Sequence, residues 1–186
     1  MNNFNKNDVE LLSYSNDFFK IKSKLNEIGY VRDYDIGIDE MFKYQAMFNE
    51  QDIISAKYQN KNLFIRGTSV TDINSAGGVS FSIDFGYFNS KKKIKYLYFT
   101  VVPYNNVGDM QICSVNRSST FTGKITGPIL AENKFDTSLW ENAWYNNTIT
   151  CIKITKVKVI YTDDSTYTYV KELNKILDNR FTNKCN

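Results

Sequence analysis

The stretch Val79-Ser80-Phe81-Ser82-Ile83-Asp84-Phe85-Gly86-Tyr87 decides the fold. Apolar side chains take every second position, with Ser80, Ser82, Asp84 and Gly86 between them. Successive side chains of a strand point to opposite faces, so this pattern predicts a strand buried on one face and wet on the other, as antiparallel sheets allow. Downstream, Ile94 to Val102 is apolar or aromatic on both alternations, with Leu97, Phe99 and Val101 set against Ile94, Tyr96, Tyr98 and Val102. That predicts a central strand. Asn89, Ser90 and Lys91 to Lys93 between the two read as a solvated hairpin turn.

Further short strands are expected at Met110 to Val115 and Phe121 to Thr126. Gly127 and Pro128 then break the chain before a segment ending in Trp140, Trp144 and Tyr145. In Ile149 to Thr162, Ile152 and Ile154 share a face with Val157, Val159 and Tyr161 only if one residue is bulged near Thr155 or Lys156. Asp163, Asp164 and Ser165 turn the chain into Tyr167 to Val170, and Lys171 to Asp178 reads as a short closing helix. Short strands without helices between them predict an antiparallel, immunoglobulin-like β-sandwich.

Upstream of Leu63 the periodicity differs. Leu11, Tyr14, Phe18, Ile21, Leu25 and Ile28 follow a 3,4,3,4,3 spacing, the mark of a heptad seam. Gly29 stops that helix, and Ile38 to Ala56 reads as a second one with Asp39 and Glu40 in its first turn. The expected organisation is a helical hairpin over residues 1–60, a β-sandwich over 61–170 and a short helix and tail over 171–186. The seam is the candidate surface for self-association or docking, or else packs within its own domain.

Composition excludes more than it assigns. The chain has 186 residues, 42% of them apolar, and no His. Without His the commonest general base, the usual partner of a catalytic Ser or Cys and the commonest metal ligand are all missing. G-x-S-x-G, the P-loop and G-x-G-x-x-G are missing too. The reading is therefore a protein without catalytic residues, cofactor or metal. Asp33 with Asp35, or Asp163 with Asp164, are ordinary turn residues before they are a glycosidase pair or a Ca²⁺ site. Lys plus Arg exceed Asp plus Glu by 23 to 20, and only Arg32, Arg66, Arg117 and Arg180 supply the guanidinium that bidentate phosphate recognition prefers. Nucleic-acid binding, through Lys91 to Lys95 with Tyr96 and Tyr98 as stacking partners, is therefore a minor alternative. Cys113, Cys151 and Cys185 have no knuckle spacing. Cys113 and Cys151 read as core thiols, a single Cys113–Cys151 bridge being the alternative for an exported chain. Met1 to Asp8 lack the apolar run of a signal peptide, and no run approaches the ~18 residues that span a membrane, so a cytoplasmic location without membrane contact is expected.

Two groups are candidate binding residues. Tyr104, Asn105 and Asp109 belong to the polar loop after Pro103, at an end of the sandwich where binding loops sit. Gly108 and Asp109 also suit a plain structural turn. Trp144 and Tyr145 read first as core anchors, with interface contact as the alternative.

Ser75-Ala76-Gly77-Gly78-Val79, Lys93-Ile94-Lys95-Tyr96, Thr100-Val101-Val102-Pro103-Tyr104-Asn105-Asn106-Val107-Gly108-Asp109, Thr126-Gly127-Pro128-Ile129 and Trp144-Tyr145-Asn146 together resemble a family of poorly characterised bacterial β-sandwich domains over residues 62–165. The resemblance implies the sandwich and an unrelated N-terminal region, and carries over no catalytic residue. The functional expectation is a non-enzymatic protein-interaction module, of the kind a bacterial or phage accessory factor would use. The alternative from another class is carbohydrate or cell-surface binding by the sandwich loops.

Overall fold

Strands Val9–Ser15 (β1), Phe18–Ser23 (β2) and Ile28–Arg32 (β3) form an antiparallel meander where a helix was expected. The computed structural model describes residues 9–32, 50–58, 61–71, 73–89, 91–132, 134–178 and 185. The chain divides between Lys61 and Asn62 into two compact units.

In the first unit the local chemistry explains why sheet displaces helix. Asn16 and Asp17 both take positive φ, 49° and 65°, and join Ser15 to Phe18 in a two-residue hairpin. Asn26, at φ 63°, turns the second connection, where the Ser23 hydroxyl accepts the amides of Leu25 and Glu27. A register shift between Leu11 and Ser13 marks a bulge in β1, so Leu11 and Tyr14, three apart, lie on one face. Bulge and turns thus counterfeit a heptad. Leu11, Tyr14 and Ile21 pack with Phe19 against Ile53 of the helix Glu50–Tyr58 (α1). Phe18, Leu25 and Ile28 are instead 36%, 80% and 55% exposed. The helical hairpin and its seam do not exist, and with them goes self-association through helices. Of the second expected helix, 38–49 lies outside the described residues, and α1 covers the remainder.

The second unit holds Leu63–Val70 (β4), Gly78–Tyr87 (β5), Ile94–Tyr104 (β6), Phe121–Ile129 (β7), Asp136–Tyr145 (β8), Cys151–Tyr161 (β9) and Thr166–Tyr169 (β10). Two antiparallel sheets, ordered β4-β5-β8 and β10-β9-β6-β7, face each other as a β-sandwich. The alternating residues Val79, Phe81, Ile83 and Phe85 are all buried and meet Leu97, Phe99 and Val101 of the central strand β6 in one core. Ring contacts tie the layers, Phe85 to Phe99 at 5.8 Å and Phe81 to Phe121 at 5.5 Å between centroids. Lys156 pairs with Thr100 and Ile154 with Val101, which leaves Thr155 bulged as the alternation required.

Four local expectations change. Because β5 and β6 lie in different sheets, residues 88–93 cross between layers and do not close a hairpin. Met110 to Val115 is a loop, with one bridge from Met110 to Tyr104. Strand β7 continues through the cis Gly127–Pro128 bond to Ile129, and a Cβ at Gly127 would lie 2.2 Å from the Ile94 carbonyl oxygen, so only glycine lets the strands approach. The closing helix shrinks to a 3₁₀ turn at Leu173–Lys175. Beyond it, the Ile65 amide donates to Ile176 and the Asp178 amide to Ile65, laying the chain parallel along the edge of β4.

The cysteines also pair differently. Cys151 is bonded to Cys185, with Cα atoms 5.7 Å apart. Cys113 is the free, buried thiol and accepts the Tyr145 amide at 3.4 Å. Among the described residues no helix is long and apolar enough to cross a membrane.

Candidate functional site

The loop between β6 and β7 spans 105–120 and is ordered by its own polar groups. Asn105 Oδ1 accepts the amides of Val107 at 3.1 Å and Asp109 at 2.8 Å, and the Asn105 amide donates to the Asp109 carbonyl. Gly108, at φ +87°, adopts the left-handed conformation that the turn needs. Asn105 and Asp109 therefore hold the loop closed.

Side chains that the sequence analysis did not name as candidate binding residues clamp the loop's second half. Asn146 Nδ2 donates to the Ile112 carbonyl at 2.9 Å, and the Thr148 hydroxyl donates to Gln111 Oε1 at 2.8 Å. The Gln111 amide donates to the Pro103 carbonyl and the Ser114 amide to the Tyr145 carbonyl. Buried Cys113 anchors the loop from beneath. Asn146 and Thr148 lie 34 or more positions from the residues they hold, so no local signal could have revealed the clamps.

Held this way, the loop turns apolar side chains outward. Val107 is 69%, Met110 57%, Ile112 42% and Val115 72% exposed. Met110, Ile112 and Val115 were expected within a strand and Val107 in the loop before it; the structure gathers all four on one fixed loop.

The aromatic candidates separate. Trp144 is 1% exposed and packs between Phe81 and Phe121 at 5.3 and 5.6 Å, so it is a core anchor and no sugar can stack on it. Tyr145 is half-buried against the same core. Tyr104 lies on the β6 surface with the Lys153 ammonium 4.5 Å from its ring centre.

The lysine run is engaged electrostatically. Lys92 Nζ donates to Asp163 at 2.9 Å and to the Ser165 hydroxyl at 2.8 Å, and Lys95 Nζ donates to Asp164 at 2.7 Å. The Ser165 hydroxyl, then Lys92, then the Ser165 amide lower the Asp163 pKa to about 2. A depressed carboxylate stabilises the fold above its unfolded pKa of about 3.9 and loses that contribution as pH falls through the folded value. NMR titration of Asp163 is expected to give a midpoint near 2 that rises in Ser165→Ala; an ordinary midpoint in the parent protein would contradict the turn geometry.

Among the described residues no group of three or more His, Cys, Asp or Glu is placed to hold a metal ion. No family model matches the chain, and no curated protein matches it. Among solved structures, the chain is similar to a hypothetical protein from Peptoclostridium difficile 630 at 12% identity, over 67% of this chain and 93% of that one, with a TM-score of 0.39. That likeness assigns neither family nor function.

Proposed function

We propose that the chain is a non-enzymatic binding module whose sandwich recognises another protein through the β6–β7 loop. The observation that carries this reading is the pairing of a hydrogen-bonded, pre-ordered loop with four outward apolar side chains. Exposed apolar groups cost solubility unless something covers them, and a loop ordered beforehand loses less entropy on docking. The carbohydrate alternative is weaker, since burial removes Trp144 from its aromatic set.

The test compares the full chain with a Val107→Asp/Val115→Asp variant as bait for extracts of source cells treated with nuclease. Both sites are exposed, so stability should stay within about 0.5 kcal/mol. A protein retained by the parent should be held more than tenfold less by the variant, since burying each aliphatic side chain contributes about 1.5 kcal/mol or more. Equal retention would remove the loop from the interface.

The expected cytoplasmic location fits poorly with the Cys151–Cys185 bridge, because disulfides persist mainly in oxidising compartments. We place the chain in such a compartment.

A further inference from the structure

The outward face of the sheet β10-β9-β6-β7 carries a positive, aromatic surface. Strand β6 alternates Leu97, Phe99 and Val101 into the core, so Tyr96, Tyr98 and Tyr104 stand on the opposite face. The registers place Lys124 of β7 and Lys158 of β9 on either side of Tyr98, Lys156 opposite Thr100 and Lys153 opposite Val102. The remaining outward positions of these strands are Thr, Ile, Val, Pro or Cys, and none is Asp or Glu.

Charge and rings are interleaved. The Lys124 ammonium lies 3.9 Å from the Tyr96 ring centre and 5.9 Å from that of Tyr98, and the two rings are 6.3 Å apart. Among the described residues none of these four lysines forms an ion pair with a carboxylate. Lys92 and Lys95, in the run that the sequence pointed to, are by contrast bound to Asp163 and Asp164.

We propose that this face binds single-stranded nucleic acid, with Lys124, Lys153, Lys156 and Lys158 taking phosphates and Tyr96 and Tyr98 taking bases. A flat array of cations calls for a linear polyanion. The paired rings select one that carries planar groups, because bases stack on aromatic side chains without sequence preference. The site is separate from the β6–β7 loop, and either reading stands without the other.

Fluorescence anisotropy of a labelled oligothymidylate of about 12 nucleotides, titrated with the full chain, tests this. Four neutralised phosphates give a log–log salt slope of about −2.8, so affinity should fall roughly 50-fold between about 50 and 200 mM salt. Lys156→Glu/Lys158→Glu should at least halve that slope. Tyr96→Ala and Tyr98→Ala should each weaken binding on the order of tenfold with the slope unchanged, while Tyr98→Phe, which keeps the ring, should bind like the parent. Circular dichroism of each variant checks that the sheet persists. Absence of binding at low salt overturns the proposal. So does heparin binding as tightly as the oligonucleotide with both tyrosine-to-alanine variants unaffected, which would mark a surface for any polyanion.

Discussion

Trp144→Ala is expected to lower the stability of the sandwich by about 3–5 kcal/mol, the usual cost of emptying a buried aromatic site. Trp144 is the largest fully buried side chain, and it joins Phe81 of β5 and Phe121 of β7 across the two layers. Little could collapse into the space it leaves, because Trp140, stacked on Phe81 at 5.0 Å, already fills the neighbouring site and lies against Gly123. Among the described residues the indole Nε1–H of Trp144 has no hydrogen-bond partner. Trp144→Phe removes that orphan donor and keeps a ring, so it should be much milder than the alanine change. Urea unfolding followed by fluorescence suits the alanine variant, since Trp140 remains and both tryptophans belong to β8. A loss below about 1 kcal/mol would mean that Trp144 is not a core residue, and would reopen its reading as a binding group.

Breaking the Cys151–Cys185 bond should cost a similar amount. It closes a sequence separation of 34 residues, for which chain-entropy arguments give about 4 kcal/mol. Cys185→Ser, or unfolding under strong reductant, should lower the urea midpoint accordingly. Cys113→Ser leaves the bridge intact and should cost only what its buried thiol contributes. The same bond is the ground for the proposed oxidising location. Alkylation of protein denatured directly from source cells should label one thiol, Cys113; labelling of all three cysteines would remove both the bridge and the oxidising location.

Strands β5 and β6 and the bulge at Thr155 were legible because a strand buried on one face writes a two-residue period into its sequence, and a bulge breaks that period by one. The same rule misled at the N-terminus. There the bulge in β1 and the turns at Asn16-Asp17 and Asn26 space the apolar residues by three and four, as a helix would. The better signal was the turn chemistry, since adjacent Asn and Asp tolerate the positive φ that a tight hairpin demands. Residues 88–93 misled for a different reason. A short polar connection looks alike whether it joins neighbours in one sheet or crosses between two.

The candidate site was legible only in part. The loop after Pro103 could be located, because a strand end followed by Asn, Gly and Asp is a turn with a known mechanism. That Asn105 and Asp109 close its first half through their own hydrogen bonds, and that Asn146 and Thr148 clamp its second half at Ile112 and Gln111, emerged only with the structure. Trp144 reads from the sequence as core before surface, and its neighbours decide for core.

What the sequence by itself determined is therefore the local part: which segments of the second unit alternate, where they turn, and that His-dependent chemistry is excluded. Only the tertiary structure decided which strands share a sheet, which cysteines pair, and that Lys124, Lys153, Lys156 and Lys158 flank Tyr96, Tyr98 and Tyr104 on one face. The physical reason is that side-chain alternation and turn preference act over a few residues. Sheet pairing and surface charge instead depend on contacts between residues distant in sequence, which come together only when the core has closed.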